Sequence, residues 1–83
     1  MNLNEIRDAI DRIDSNILKL LNDRMEQALL AKKFKSSIED SEREKAIMEK
    51  LKNSPHPLLE DEFKESVYKL IISYSKKLQA KEL

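Results

Sequence analysis

The chain has 83 residues, no Cys and no Gly, and sixteen basic against sixteen acidic side chains, for a formal net charge of zero. Without cysteine there are no disulfides, no thiolate catalysis and no Cys-ligated metal, and a neutral chain has no global field to draw in nucleic acid or an anionic membrane. A β-rich fold needs turn glycines, so the composition predicts an all-α protein, a single domain over 1–83, too small to bury a large core alone.

The N-terminal Met1-Asn2-Leu3-Asn4 has neither a basic segment nor an apolar run of signal-peptide type, and no stretch approaches the ~20 apolar residues of a membrane span. The expectation is a soluble, cytoplasmic protein with no membrane or nucleic-acid partner. His56, the single histidine, lies between Pro55 and Pro57 and leaves little material for a metal site; none is expected.

Leu3, Ile6, Ile10, Ile13, Ile17 and Leu20 recur at spacings of three and four with no Pro between them, which predicts a long first helix from near Asn2 or Asn4 to about Lys35. Arg24 continues this seam where an apolar residue was due, and Arg7 and Lys35 sit one position off it. The remaining face (Glu5, Asp8, Arg12, Lys19, Asp23, Glu26) reads as solvated surface. Ser36 to Asp40 form a polar break. A second helix follows, capped by Asp40 or Ser41, with Ser41-Glu42-Arg43-Glu44 in capping-box form and Ala46, Ile47, Met48 and Leu51 as its apolar positions. Asn53 to Pro57 stop it. A third helix begins around 59–61, carries Phe63, Val67, Leu70, Ile71, Tyr74 and Leu78, and continues to the C-terminus.

Each candidate site residue has a structural alternative beside its functional reading. Arg24 and Lys35 are eleven residues apart, so on one helix they leave the same face, separated by ~16 Å of axis. Two long cations so placed suit a small dianion, or each pairs with an acid on a neighbouring helix. Arg7 lies ~25 Å of helix from Arg24 and ~42 Å from Lys35, so it reaches the same ligand only from a second copy of the chain. A two-fold dimer with antiparallel long helices would build two such composite sites. Asp40, Arg43 and Glu44 suffice as a capping assembly. Ser75 and Gln79, four apart and on one face with Tyr68 and Ile72, serve equally as cross-helix hydrogen bonders. Lys32 and Lys33 read as charges favourable to the end of the first helix.

The ordered set Arg7, Arg24, Lys35, Asp40, Arg43, Glu44, Ser75 and Gln79 resembles the all-α class of chorismate mutase, in the form of the mutase domain of bacterial P-proteins. The supporting strings run from Glu5 to Asp14, Leu20 to Arg24, Ala31 to Lys35 and Glu42 to Lys45, so the likeness spans essentially the whole chain. It implies an intertwined antiparallel helical homodimer converting chorismate to prephenate in aromatic amino-acid biosynthesis. The implied reaction is a concerted Claisen rearrangement that uses no metal, cofactor or covalent intermediate. By the same resemblance Lys35 and Gln79 are the catalytic donors to the ether oxygen. Arg24 and the partner's Arg7 bind the two carboxylates, with Ser75 adding a contact. Glu44 and the backbone at Asp40 hold the ring hydroxyl, and Arg43 orients the acids. The loop from Lys35 to Asp40 is shorter than relatives often have. Two other readings share these residues: an isochorismate-pyruvate lyase of the same fold, and a non-catalytic helical regulatory module for a shikimate-pathway enzyme.

Overall fold

In a computed structural model of the protein, which describes residues 1–81, the chain forms three helices and no strand: α1 (Leu3–Lys32), α2 (Ser41–Lys52) and α3 (Asp61–Lys81). None is long and apolar enough to cross a membrane. The expected continuation of the third helix through residues 82 and 83 lies outside the described residues.

Asn2 starts α1 with a reciprocal cap. Its Oδ1 accepts from the Glu5 amide at 2.9 Å, and the Glu5 carboxylate accepts from the Asn2 amide at 3.3 Å. The helix ends at Lys32, short of the expected Lys35. Lys33, Phe34 and Lys35 donate to carbonyls three residues back, at 3.1, 3.0 and 3.3 Å, so the chain tightens and turns away.

Asp40 caps α2, its Oδ1 accepting from the Arg43 amide at 3.0 Å. The capping box expected from Ser41 to Glu44 does not form. Ser41 is already helical, and the Glu44 carboxylate turns instead to Lys76 of α3 at 3.4 Å. At the other end of α2, Lys64 of α3 donates to the carbonyls of Leu51 (2.7 Å) and Ser54 (3.3 Å) and pairs with Asp61 at 3.2 Å. This buried lysine adds a charged donor to carbonyls at the end of the helix, where the regular intrahelical donors run out.

α3 packs against both α1 and α2, which do not approach each other. The face it buries is largely polar: Lys64, Ser75 and Gln79 are buried beside Ile72. The apolar positions read from the sequence behave differently, with Phe63, Val67, Leu70 and Tyr74 exposed. α1 buries no residue at all, and Leu3, Ile6, Ile10, Ile13 and Ile17 are each 42–57% exposed. The molecule is correspondingly drawn out, 52 × 27 × 15 Å with a radius of gyration of 15.7 Å, where a compact chain of this length would have ~12 Å.

Candidate active site

The last turns of α1, the segment after it, the start of α2 and the second half of α3 enclose a cleft of about 260 Å³. That is the scale of a small metabolite. Arg24 and Lys35 line one wall, Asp40, Arg43 and Glu44 a second, and Ser75 and Gln79 a third. Seven of the eight residues singled out in the sequence therefore meet in one place. Arg7 does not; it is exposed on α1, ~25 Å of helix from Arg24.

Arg24 is held before any ligand arrives. Its Nη1 donates to the Ser75 hydroxyl at 3.1 Å, and its guanidinium lies 6.0 Å from the centre of the Tyr68 ring, within cation–π range. The Ser75 hydroxyl can then give its own proton to the Ile71 carbonyl at 2.9 Å, one turn back. Met25 Sδ, at 3.2 Å, is the weaker competitor for that proton.

Gln79 is the most buried polar residue, 4% exposed. Its Nε2 donates to the Ala28 carbonyl at 2.8 Å, which fixes the amide group and leaves a second N–H on the same nitrogen. Lys32 crosses from α1 to the Gln79 backbone carbonyl, a more specific task than the charge–dipole role read for it in the sequence. Lys35 has left the helix, so the same-face argument no longer describes it, yet it still faces the cleft. Its Nζ donates to the Ile38 carbonyl at 3.1 Å with two protons to spare.

Across the cleft the Glu44 carboxylate meets Lys76, which also pairs with Glu39 at 3.0 Å. The hydrogen bond to Glu39, with Glu44 second, outweighs the cost of partial burial and holds the Lys76 ammonium above its ordinary pKa. No cluster of His, Cys, Asp or Glu suited to a metal occurs among the described residues. The cleft thus offers guanidinium, ammonium and amide donors on one side and a carboxylate acceptor on the other. Such a site binds, orients and polarises an anionic molecule.

The chorismate mutase type II family matches the chain over residues 6–80. The chain belongs to that family. No curated protein and no solved structure matches it. A chorismate mutase type II domain is an isomerase domain, and the match takes in all of α2, nearly all of α1 and α3, and all eight of the singled-out residues.

Two residues that bear on this cleft carry no signal of it in the sequence: Lys76, which lines it, and Tyr68, which backs Arg24. Tyr68 was noted only as sharing a face with Ser75. Lys76 was not singled out at all, although it stands three residues before Gln79 and therefore beside it on α3.

Proposed function

We propose that the protein is a chorismate mutase, rearranging chorismate to prephenate in a homodimer whose two active sites each borrow Arg7 from the other subunit. The observation that carries this reading is the convergence of Arg24, Lys35, Glu44, Ser75 and Gln79, from four separate segments, on one small cleft in a member of this family.

The reaction breaks the ether C–O bond as a new C–C bond forms, with no proton gained or lost and no other reactant. The protein has two tasks. It must hold the enolpyruvyl arm over the ring in a near-attack conformer. It must also stabilise the negative charge that grows on the ether oxygen. In this reading Arg24, fixed by Ser75 and Tyr68, takes one carboxylate, and Arg7 of the partner subunit takes the other. The unused N–H of Gln79 and a free proton of Lys35 point to the ether oxygen as their target. The Gln79 amide is a neutral donor that does not titrate. Glu44 accepts the ring hydroxyl with help from the backbone at Asp40, and Arg43 steadies these acids.

The monomer's surface supports the dimer. Its accessible area is 7145 Å², against ~5100 Å² for an ordinary folded chain of 9.7 kDa. The excess of ~2000 Å² is the size of a substantial interface. The apolar stripe of α1 is bare from Leu3 to Ile17. It leads into an open apolar groove between α1 and α3, lined by Leu21, Met25, Leu29, Leu70, Tyr74 and Leu78. A second copy's long helix has the length and polarity to fill both. A cytoplasmic location, where aromatic amino acids are made, belongs to the same reading.

The test is a chorismate-consumption assay on the purified protein beside a measurement of its solution mass. Prephenate formed by a dimer of about twice 9.7 kDa is expected. No prephenate would overturn the activity, and pyruvate released from isochorismate alone would replace it with the lyase.

A further inference from the structure

Two lysines of α3 hold the two ends of α2. Lys64, buried, takes the carbonyls of Leu51 and Ser54 at the C-terminal end. Lys76 lies twelve residues, ~18 Å, further along α3, which matches the ~18 Å length of the twelve-residue α2. It reaches Glu44 in the first turn of α2 and, with the same ammonium, Glu39 in the segment joining α1 to α2.

We propose that Lys76 is a positioning residue: by bridging Glu39 and Glu44 it straps the α1–α2 segment and the start of α2 onto α3, fixing the mouth of the cleft. Among the described residues these are the side-chain hydrogen bonds between α3 and the segment 36–44. Asp40 and Arg43 lie between the two anchored acids, Ile38 is next to the first of them, and all three line the cleft, so a loosened strap moves the cleft wall directly. The Glu44 carboxylate is also aimed by this contact, since it makes no hydrogen bond to the backbone of its own helix start. Lys76 is 28% exposed at its side chain and Glu44 30%, so the pairing is partly shielded, whereas Glu39 at 72% is open to solvent. Glu39 makes the shorter contact, 3.0 Å against 3.4 Å, but being open to solvent it is the one that salt weakens more.

The role of the strap in turnover rests on the mutase reading; its role in ordering the segment does not. The experiment therefore has two arms on the full chain, comparing wild type with Lys76→Met, Lys76→Arg and Glu39→Gln. In hydrogen exchange without substrate, Lys76→Met should speed exchange of the Arg43 and Glu44 amides, the two in 36–44 that Asp40 holds, about fivefold, and Glu39→Gln about twofold, while α3 is unchanged. Lys76→Arg, which keeps the charge, should stay within about twofold of wild type. Unchanged exchange at the Arg43 and Glu44 amides, equal acceleration in all three helices, or no rescue by arginine would overturn the strap.

In the kinetic arm Lys76→Met should raise KM for chorismate about fivefold with kcat altered by less than about twofold, and arginine should restore it. A KM that stays put while the segment loosens would overturn the strap's part in the site. If wild type forms no prephenate, the mutase reading fails, and the exchange arm still decides whether Lys76 orders the segment.

Discussion

The Arg24 guanidinium and the Ser75 hydroxyl, 3.1 Å apart, join α1 to α3 inside the cleft across fifty-one residues of sequence. A cation on an otherwise apolar seam thus has a neutral partner. Among the described residues no acid pairs with it, and its charge faces the cleft. Tyr68 on its other side limits where the guanidinium can swing.

Ser75→Ala removes that partner without adding bulk. The expected effect is a loss of about 1–2 kcal/mol in transition-state binding, near tenfold in kcat/KM and carried mainly by KM, because Arg24 keeps its charge but loses its fixed position. Stability should fall by no more than ~1 kcal/mol. Steady-state kinetics and urea unfolding read the two quantities separately, and an unchanged KM would show that Arg24 needs no help from Ser75.

Gln79 makes a sharper case because its amide is already oriented by Ala28 at 2.8 Å. Gln79→Ala should cost about 2–4 kcal/mol in transition-state stabilisation, as deletion of an oxyanion-type donor does. Gln79→Glu should behave differently. A carboxylate there would face the Ala28 carbonyl and donate nothing, whereas the carboxylic acid can donate. Activity of the Glu variant should therefore rise as pH falls through its carboxyl pKa, while the wild type, with a donor that does not titrate, shows no such recovery. The ratio of kcat/KM between the two proteins across acid and neutral pH is the measurement.

Much of this was legible in the residues and some was not, for identifiable reasons. The three helices follow from unbroken three-and-four spacing and from the Pro55–Pro57 stop, and the order of the eight polar residues suffices for the family. The inward face of α3 was not legible. Periodicity reports which side chains leave water, and on α3 those are Phe63, Val67, Leu70 and Tyr74, none of which its own chain buries. Lys64, Ser75 and Gln79 go inside because specific carbonyls and the Arg24 side chain await them, information that a hydropathy pattern does not carry. Lys35 lines the cleft, but the helical spacing that pairs it with Arg24 in the sequence stops at Lys32. Glu44 carried a capping signature, but a capping box competes with any nearby cation, and here Lys76 takes the carboxylate. Lys76 itself is one of several lysines late in α3, and composition does not separate one of these from another.

The bare stripe of α1 bears on assembly. Ile13 is 56% exposed in the single chain, although it sits in the middle of the apolar seam. Ile13→Asp would force a carboxylate into an interface with no partner for it. The mutant should have half the wild-type solution mass. It should also lose helical signal, because the first half of α1 would then be a helix with nothing packed on it. Light scattering and far-UV circular dichroism check both, and a dimer of undiminished stability would mean that this stripe is not the contact.

Lys76 also makes a pH-dependent contribution to stability. Its folded pKa is raised above the ordinary 10.5 by Glu39 first and Glu44 second. Folding therefore favours the protonated ammonium. The contribution is complete below the unfolded value near 10.5 and is lost as pH rises through the raised folded value. The difference in urea midpoint between wild type and Lys76→Met should be constant from neutral pH to about 9 and should close as pH rises past 10.5 through the raised folded value. A difference that closed between pH 7 and 9 would mean that something other than this ammonium is responsible.

The proposed sharing of sites between subunits has a direct test in mixed dimers. Arg7→Ala and Lys35→Ala should each abolish most activity, since one removes a carboxylate donor and the other the ammonium at the ether oxygen. In a heterodimer of the two, the subunit that keeps Lys35 receives Arg7 from its partner, and that site is whole. The opposite site lacks both residues. Each heterodimer therefore has one working site of two, and random exchange of equal amounts should restore about a quarter of wild-type activity. Unfolding and refolding the two variants together, with each refolded alone as a control, gives the comparison. The ~25 Å of rigid helix between Arg7 and Arg24 makes the outcome decisive. If Arg7 served its own chain's cleft, the subunit carrying Lys35 would still lack it, and mixing would restore nothing.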